Sequence, residues 1–322
     1  MSRLDSSSQV NAPFDATIVI VTKNRKQELR NAVVSARQQE GRIEVLVIDD
    51  GSTDGTADMI REEFPNVRLD RVERSQGYVV HRNRAAELAS SSILVSIDDD
   101  AVFSTSHTVQ ETLNEFNHPR VGAVSIPSID VNKPGRPAYH QRPPDDAVWA
   151  VEAYRGTAHA VRRSLFSQLG GYKVSFFHQG EEGEYCLRLL NAGYITRLGS
   201  ASPIHHFESP KRDRSRMFTY DARNRILLAW YNVPMPFLLV HLPATMLRAI
   251  LRGIVQRYGW AASHGVVLGI AMIFKQFGQR KPVSRQVYRL SRQLRKRGPA
   301  KLDAIESSLP ELQLSEPVID AE

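Results

Sequence analysis

The chain of 322 residues has a single cysteine, Cys186, so no disulfide can form within it. A single cysteine fits a protein from a reducing compartment, and a cytoplasmic location is expected. Residues 1–13 are polar and rich in serine, without the apolar core of a secretory signal, so none is expected. The sequence contains no internal repeat, and its length suits one large α/β domain with an appendage.

Acidic residues are missing from a long segment near the C terminus. Residues 222–301 contain no Asp or Glu, whereas Lys and Arg recur throughout. The whole chain has a net charge of +7, so positive charge is concentrated in this segment. Such segregation favours an anionic partner, either lipid or another polyanion. We expect an anionic membrane surface and no nucleic acid.

The basic segment also has long uncharged runs, at residues 226–247 and 258–274. Neither is predicted to span a membrane, because prolines interrupt the first and the second is shorter than the ~20 residues a span needs. Apolar residues recur at helical spacing among arginines, at Met246, Leu247, Ile250, Leu251, Ile254 and Val255, and again at Val287, Leu290 and Leu294. Basic amphipathic helices of this kind lie in a membrane interface; the alternative is a helical subdomain packed on the rest of the protein.

The N-terminal third alternates apolar, β-branched runs with segments of helical period. Strands are predicted at residues 16–21, 43–49, 67–72 and 91–98. Helices are predicted between them, at residues 26–39, 57–64 and 80–89. This order predicts an α/β fold with a mostly parallel, doubly wound, Rossmann-like sheet.

Three consecutive carboxylates, Asp98, Asp99 and Asp100, follow the fourth of these strands. The carboxyl ends of parallel strands are where open α/β sheets bind ligands. Three adjacent carboxylates repel one another unless a cation joins them, and Mg²⁺ or Mn²⁺ prefers oxygen ligands together with phosphate oxygens. The pattern D-x-D therefore predicts a metal–diphosphate site, although an acidic turn after a strand is the simpler alternative.

Several motifs occur in a characteristic order. They are VTKNR, VIDDGSTDGT, GYVVHRNRAAELA, SIDDDAV, RGTAHAVRRSLFSQLGGY and GEEGEYCLRLLNAGY. In this order they resemble the family-2 glycosyltransferases with the GT-A fold, over roughly residues 16–210. The resemblance implies transfer of a sugar from a nucleoside diphosphate donor with inversion at the anomeric carbon, in the manner of bacterial rhamnosyltransferases.

The resemblance also implies a domain organisation. Residues 15–215 would form the catalytic domain, with a nucleotide-binding half at 15–105 and an acceptor-binding half at 106–215. A flexible N terminus, a basic amphipathic helical region and an acidic disordered tail would occupy residues 1–14, 216–300 and 301–322.

Donor-binding roles follow from the same motifs. Asp50 would accept a hydrogen bond from an imide N–H, which uracil and thymine both carry, so a UDP- or dTDP-sugar is expected. Arg82 would contact the nucleotide base or a phosphate; the alternative is that it lies on a solvent-exposed helix face. The donor-binding residues predicted in this way are Thr22, Asn24, Asp50, Arg82, Asp98 and Asp99. Asp100, Asp98 and His206 are predicted to bind Mn²⁺ or Mg²⁺, with His205 as the alternative to His206.

A general base must take the proton of the acceptor hydroxyl. Glu182 stands where the family usually has Asp, six residues before Arg188, and we predict that it is the base. The adjacent Glu181 is not excluded as the base. Both carboxylates are also typical of the first turn of a helix, where the helix dipole is positive. Trp149, Gly156 and Glu181 are predicted to contact the acceptor, Trp149 by stacking on a sugar.

Other functions remain to be weighed against this one. Asp98-x-Asp100-x-Val102 also fits a haloacid-dehalogenase phosphotransferase, in which the first Asp is a nucleophile, but three strands precede it here. A sugar nucleotidyltransferase would need a glycine-rich loop after the first strand, and TKNRKQE has none. A catalytically impaired sugar-nucleotide-binding protein is a further alternative. The basic region suggests a lipid-linked or cell-envelope glycan acceptor at the inner face of the cell membrane.

Overall fold

The computed structural model describes residues 14–133, 142–208 and 213–313. The predicted flexible N terminus lies outside these ranges except for its last residue. So does the end of the predicted tail, from residue 314 onward.

Within the described residues, nine strands form one sheet in the order β12-β8-β10-β6-β9-β4-β1-β2-β3. Its strands are β1 (Ala16–Thr22), β2 (Ile43–Asp49), β3 (Arg68–Arg71), β4 (Ile93–Asp98), β6 (Val121–Ser125), β8 (Trp149–Val151), β9 (Ala158–Arg162), β10 (Ile195–Leu198) and β12 (Ala300–Lys301). Of these described strands, only β8 and β9 run against the rest. The predicted mostly parallel α/β sheet is therefore confirmed.

Helices cover both faces of this sheet and extend beyond it. They are α1 (Lys26–Arg37), α2 (Thr56–Glu63), α3 (Tyr78–Leu88), α4 (Thr108–Asn114), α5 (Arg163–Gln168), α6 (Glu181–Asn191), α7 (Arg214–Asn232), α8 (Leu238–Val255), α9 (Gly259–Lys275), α10 (Arg285–Arg297) and α11 (Leu302–Ile305). The first three helices and the first four strands lie where the apolar periodicity predicts them, because both faces of β1 and β2 are buried between helices.

Strand register gathers the polar ends of three strands at one edge. In the parallel ladder, Thr22 pairs with Asp49 and Val21 pairs with Asp98. A second, three-stranded sheet lies next to this edge, with strands β5 (Ala101–Phe103), β7 (Ser128–Asp130) and β11 (Ile204–His206). His206 pairs with Ala101 in it, and so a residue more than 100 positions away in sequence arrives beside Asp100.

The helices α7, α8 and α9 pack on one another, and α7 also contacts α6. Close packing depends on glycines: a Cβ at Gly269 would lie 3.0 Å from Cβ of Ile226, and one at Gly265 would overlap the carbonyl oxygen of Thr219. The predicted apolar face of α8 is divided by this packing. Met246 and Ile250 pack inward, whereas the exposed residues are Leu247, Leu251, Ile254 and Val255.

One helix of the described chain, α8, has the length and apolar composition needed to cross a bilayer. Only 17% of its residues are buried. The uncharged run at residues 226–247 does not form one helix, because α7 ends at Asn232 and α8 begins at Leu238. The intervening prolines separate the two helices, as the sequence suggested.

The prediction for α10 is wrong: its apolar residues do not face a membrane. Val287, Leu290 and Leu294 are buried in the main core, and only the arginine-rich side of the helix is exposed. This outcome matches the alternative given above, a helical subdomain packed on the rest of the protein.

The predicted disorder from residue 301 is also wrong as far as residue 313. Lys301 pairs with Trp149 in the sheet, and three apolar residues beyond it, Leu302, Ile305 and Leu309, are buried in the main core. The prediction of disorder rested on the high content of acidic and serine residues and overlooked the apolar residues that recur in this segment.

Substitution of Leu302 by alanine tests this packing. Because Leu302 is 2% exposed, we expect the protein's free energy of unfolding to fall by about 2–5 kcal/mol, the usual cost of a buried Leu→Ala change. Urea denaturation measures the loss. Leu312→Ala, at a position 41% exposed, is the matched control and should change stability little. Equal effects of the two substitutions would contradict the packing of the tail.

Candidate active site

Asp99, which directly follows β4, is held by two residues from the end of β1 and the loop that leads into α1. Thr22 Oγ1 donates a hydrogen bond of 2.8 Å to Asp99 Oδ2. Arg25 Nη1 lies 3.0 Å from Asp99 Oδ1 and 2.7 Å from Asp100 Oδ2. Asp99 therefore links the first strand to the fourth and has both oxygens engaged within the protein.

The three predicted metal ligands lie together. One ligand atom each from Asp98, Asp100 and His206 can be chosen so that all three lie within 4.8 Å of one another. His206 Nε2 is 3.2 Å from Asp100 Oδ1, and neither ring nitrogen of His206 has a hydrogen bond of normal geometry in the described part of the chain. A buried imidazole without a hydrogen-bond partner beside two carboxylates is suited to bind a cation.

The pKa values of the two buried aspartates diverge. Burial raises the pKa of Asp99 to about 7, and the neighbouring charge of Asp100 adds to the rise against the opposing effect of Arg25. Burial acts in the same direction on Asp100, but His206 and Arg25 outweigh it and lower the pKa of Asp100 to about 2. Asp100 is therefore ionised at neutral pH, as an anionic metal ligand must be.

Arg82 on α3 joins the aspartates to the carboxylates of α6. Its Nη2 donates to Asp98 Oδ1 at 2.8 Å and to the Gly156 carbonyl oxygen at 3.1 Å. Its Nη1 lies 3.5 Å from Glu181 Oε1 and 3.7 Å from Glu182 Oε1. Although burial alone would lower it, these carboxylates raise the pKa of Arg82, so the buried guanidinium stays charged. Arg82 is thus not on a solvated helix face.

The two candidate bases differ in exposure. Glu181 is fully buried and neither of its oxygens has a hydrogen-bond partner among the described residues, whereas the side chain of Glu182 is 18% exposed. Burial, together with the charge of Glu182, raises the pKa of Glu181 well above its usual value, so Glu181 favours the protonated form. Of these two glutamates, Glu182 is the one that combines exposure to solvent with a position beside Arg82.

Gly156 provides the space for this arrangement. A Cβ at position 156 would overlap Glu182 Oε1 and would lie 2.9 Å from Arg82 Nη1. Next to it, Thr157 Oγ1 donates a hydrogen bond of 2.8 Å to Asp98 Oδ2. The turn between β8 and β9 therefore fixes Asp98 and accommodates both charged side chains.

Asp50 and Asn24 organise the loops beyond β1 and β2. Asp50 accepts hydrogen bonds from Ser75 Oγ at 2.6 Å and from the backbone N–H groups of Gln76 and Gly77, and its Oδ1 lies 2.6 Å from His81 Nε2. Asn24 is exposed and accepts a hydrogen bond from the Thr53 N–H at 2.8 Å. Asp50 thus holds the segment that leads into α3, which positions Arg82.

Trp149 does not lie with the other predicted site residues. It begins β8, four strands from β4 in the sheet and hence about 19 Å away at the usual ~4.8 Å strand spacing. Its indole N–H donates to Asp145 Oδ1, and its ring contacts Lys301. The expectation that Trp149 stacks on an acceptor at this site is therefore not supported, because pairing with β12 occupies this end of the sheet.

Sequence reasoning missed three residues that contact the predicted ones: Arg25, His81 and Thr157. Arg25 and His81 stand within the quoted motifs VTKNR and GYVVHRNRAAELA, and Thr157 follows Gly156 in RGTAHAV. The sequence shows where these residues stand but not which residues they contact, since each contacts a residue at least 25 positions away.

Solved structures with this architecture are glycosyltransferases. S. aureus TarS 1-349 in complex with UDP-GlcNAc matches with a TM-score of 0.60 and 13% identity, covering 91% of this chain and 90% of that one. A mannosyltransferase from Pyrobaculum calidifontis, in complex with GDP-Man and Mn²⁺, matches with a TM-score of 0.55 and 19% identity, over 87% and 79% of the two chains. The fold is therefore that of the GT-A glycosyltransferases.

Sequence comparison specifies the family. Residues 17–180 match the model of glycosyl transferase family 2, and the chain belongs to this family. An N-acetylglucosaminyl-diphospho-decaprenol L-rhamnosyltransferase from Mycobacterium tuberculosis is 26% identical over 266 residues, which cover 68% of this chain and 87% of the relative. Succinoglycan biosynthesis protein ExoU from Rhizobium meliloti is 35% identical, but the match spans only 28% of its length. The protein is thus a transferase, and the phosphotransferase alternative is wrong.

Proposed function

We propose that this glycosyltransferase moves a sugar from a UDP- or dTDP-linked donor to a hydroxyl group of a lipid-linked or cell-envelope glycan, with a divalent metal and with inversion at the anomeric carbon. The observation that most supports this is the convergence of Asp98, Asp100 and His206 within 4.8 Å, next to the Arg82–Glu182 pair. The M. tuberculosis relative, whose name specifies a diphospho-decaprenol acceptor, supports the lipid-linked class.

The donor atoms of the cluster fit Mn²⁺ or Mg²⁺. Two carboxylates and an imidazole with no hydrogen bond of normal geometry within the described residues are hard or intermediate ligands, and Asp100 is ionised at neutral pH. Asp98, Asp100 and His206 would hold the ion, leaving positions for the phosphate oxygens of the donor. When bound, such an ion neutralises charge on the departing nucleoside diphosphate.

Glu182 acts as the general base in this proposal. It accepts the proton of the acceptor hydroxyl while that oxygen attacks the anomeric carbon, and the nucleoside diphosphate leaves from the opposite side. One displacement of this kind inverts the anomeric configuration. The neighbouring charge of Arg82 orients Glu182. Arg82 also donates a hydrogen bond to Asp98, so the same guanidinium links the general base to the donor site.

A panel of nucleotide sugars tests the donor class. In the presence of Mn²⁺, a UDP- or dTDP-sugar that binds the folded protein should raise its melting temperature through linkage, and chelation of the metal should reduce the shift. GDP- and ADP-sugars serve as controls, because their purine bases differ from uracil and thymine in size and in hydrogen-bonding edge. A shift from purine donors alone would overturn the assignment of the base.

Membrane association is the second part of the proposal. An apolar surface on α8 and α9 is formed by exposed side chains, Leu247, Leu251, Ile254, Val255, Trp260, Val267 and Phe274. On α9, three of these recur every seven residues and therefore share one side of the helix. The surrounding chain has no acidic residue between positions 222 and 301. Apolar side chains bordered by positive charge suit the interface of an anionic bilayer, so we propose a peripheral location on the inner face of the cell membrane.

Binding to vesicles should therefore depend on charge. The protein is expected to cosediment with anionic vesicles at low salt and to be released at high salt, because exposed charges are screened. Arg248→Glu with Arg257→Glu should weaken binding, since each Arg near the surface contributes about 1 kcal/mol. Arg252 is left unchanged because it pairs with Asp221 at 3.2 Å.

Two controls make this experiment specific. Arg61→Glu changes an exposed charge on α2 and should leave cosedimentation unaltered. Trp260→Phe should remove most of any blue shift in tryptophan emission seen on binding, because Trp260 is 88% exposed. A protein that stays in the supernatant with anionic vesicles at low salt would rule out the membrane assignment.

A further inference from the structure

Arg25 occupies an unexpected place at the aspartate cluster. A single atom, Arg25 Nη1, lies 2.7 Å from Asp100 Oδ2 and 3.0 Å from Asp99 Oδ1. Within the described ranges, it is the only Lys or Arg side chain in an ion pair with either carboxylate. Arg25 therefore supplies the positive charge that makes these adjacent carboxylates compatible.

The backbone fixes where the Arg25 side chain starts. Asn24, in the preceding position, has φ of 52°, and its N–H donates to Ser52 Oγ at 2.9 Å while its side-chain oxygen accepts from the Thr53 N–H. These bonds tie the β1–α1 segment to the β2–α2 loop. The backbone from which the Arg25 side chain extends is thus held by hydrogen bonds, whereas its guanidinium group is held by the two ion pairs.

Exposure differs sharply between Arg25 and its partners. The side chain of Arg25 is 35% exposed, against 5% for Asp100 and 2% for His206. Of the three proposed metal ligands, Asp100 and His206 are therefore buried, whereas the side chain of Asp98 is 34% exposed. Arg25 is the more exposed partner in its ion pair with Asp100. Arg25 and His206 both contact Asp100, and Arg25 is far more exposed than His206, so Arg25 is the one expected to move more easily.

We propose that Arg25 is an exchangeable counter-cation, which holds Asp99 and Asp100 in the free protein and turns to the diphosphate of the donor when the donor binds with the metal. This rests on the metal site of the proposed function. A guanidinium and a divalent cation on the same carboxylate repel each other, and a diphosphate offers the guanidinium a bidentate partner. Divalent metal should therefore bind weakly alone and more tightly with nucleotide, and the coupling must be reciprocal.

Binding of Mn²⁺, followed by electron paramagnetic resonance with and without UDP, tests this without measuring activity. In the unaltered protein, UDP should raise the affinity for Mn²⁺ by about 5–150-fold, the usual range of coupling between sites. Arg25→Gln should bind Mn²⁺ more tightly in the absence of UDP, and UDP should then raise the affinity by a smaller factor than in the unaltered protein, because only the direct phosphate ligands remain as the source of coupling. Arg61→Gln removes the same charge from a surface helix and should behave as the unaltered protein.

Arg25→Lys keeps the charge, and it should retain weak binding of Mn²⁺ alone. If the Gln variant is unstable, two measurements still test the proposal. They are the effect of UDP on Mn²⁺ affinity in the unaltered protein and the Mn²⁺ affinity of the Lys variant. Equal Mn²⁺ affinity with and without UDP in the unaltered protein, or no gain in Arg25→Gln, would overturn the role of Arg25 while leaving the metal site intact. Absence of Mn²⁺ binding in every variant, even with UDP, would overturn the metal site as well.

Discussion

Replacement of Glu182 by glutamine is expected to lower kcat by about 10²–10⁴-fold, the usual contribution of general base catalysis, with donor affinity almost unchanged. Glutamine has nearly the same shape and can keep its place beside Arg82, but it cannot accept the proton of the acceptor hydroxyl. Steady-state transfer and thermal shift with the donor identified from the panel measure the two quantities. A loss in kcat with unaltered donor binding separates catalysis from binding.

Glu181→Gln is the matched control on the adjacent residue. Because burial raises the pKa of Glu181 well above its usual value, an amide resembles the protonated form that the buried side chain favours. We therefore expect only a small change in kcat. A large loss in Glu181→Gln together with a small one in Glu182→Gln would assign the base to the buried residue.

Replacement of Asp100 by asparagine is expected to abolish most donor-dependent turnover and to weaken metal binding. The change removes an anionic ligand and its contact with His206 but keeps the size of the side chain. Loss of a partner in the outer shell of a metal typically costs about 10–100-fold in affinity, and loss of a direct ligand should cost at least as much. Calorimetric titration of Mn²⁺ in the presence of UDP measures it.

The control for this substitution is Asp58→Asn on α2. Among the residues that the structure describes, Asp58 forms an ion pair with Arg61 alone, and its side chain is 71% exposed, so turnover and metal affinity should be unchanged. Turnover of the unaltered protein that resists a strong chelator would contradict the metal requirement. In that case, Asp100 would be needed for its ion pair with Arg25 rather than for a metal.

The sequence alone determined the α/β order and predicted most residues of the candidate site. Runs of apolar β-branched residues specify buried strands because both faces of the sheet are covered, and this constraint is local to each strand. Asp98, Asp100 and His206 were predicted as metal ligands and Glu182 as the base because their chemistry suits those roles. Motif order made those assignments possible in a chain whose site residues are spread over more than 100 positions.

The tertiary structure alone decided which partners these residues have and which apolar faces are covered. The patterns at 246–255 and 287–294 look alike in sequence, yet the apolar side of α10 is buried in the main core, whereas four of the six apolar residues in the α8 pattern are exposed. Periodicity shows that a face is apolar but not what covers it. In the same way, the positions of Trp149 and Arg25 depend on sheet edges and ion pairs formed across the chain, which no local pattern specifies.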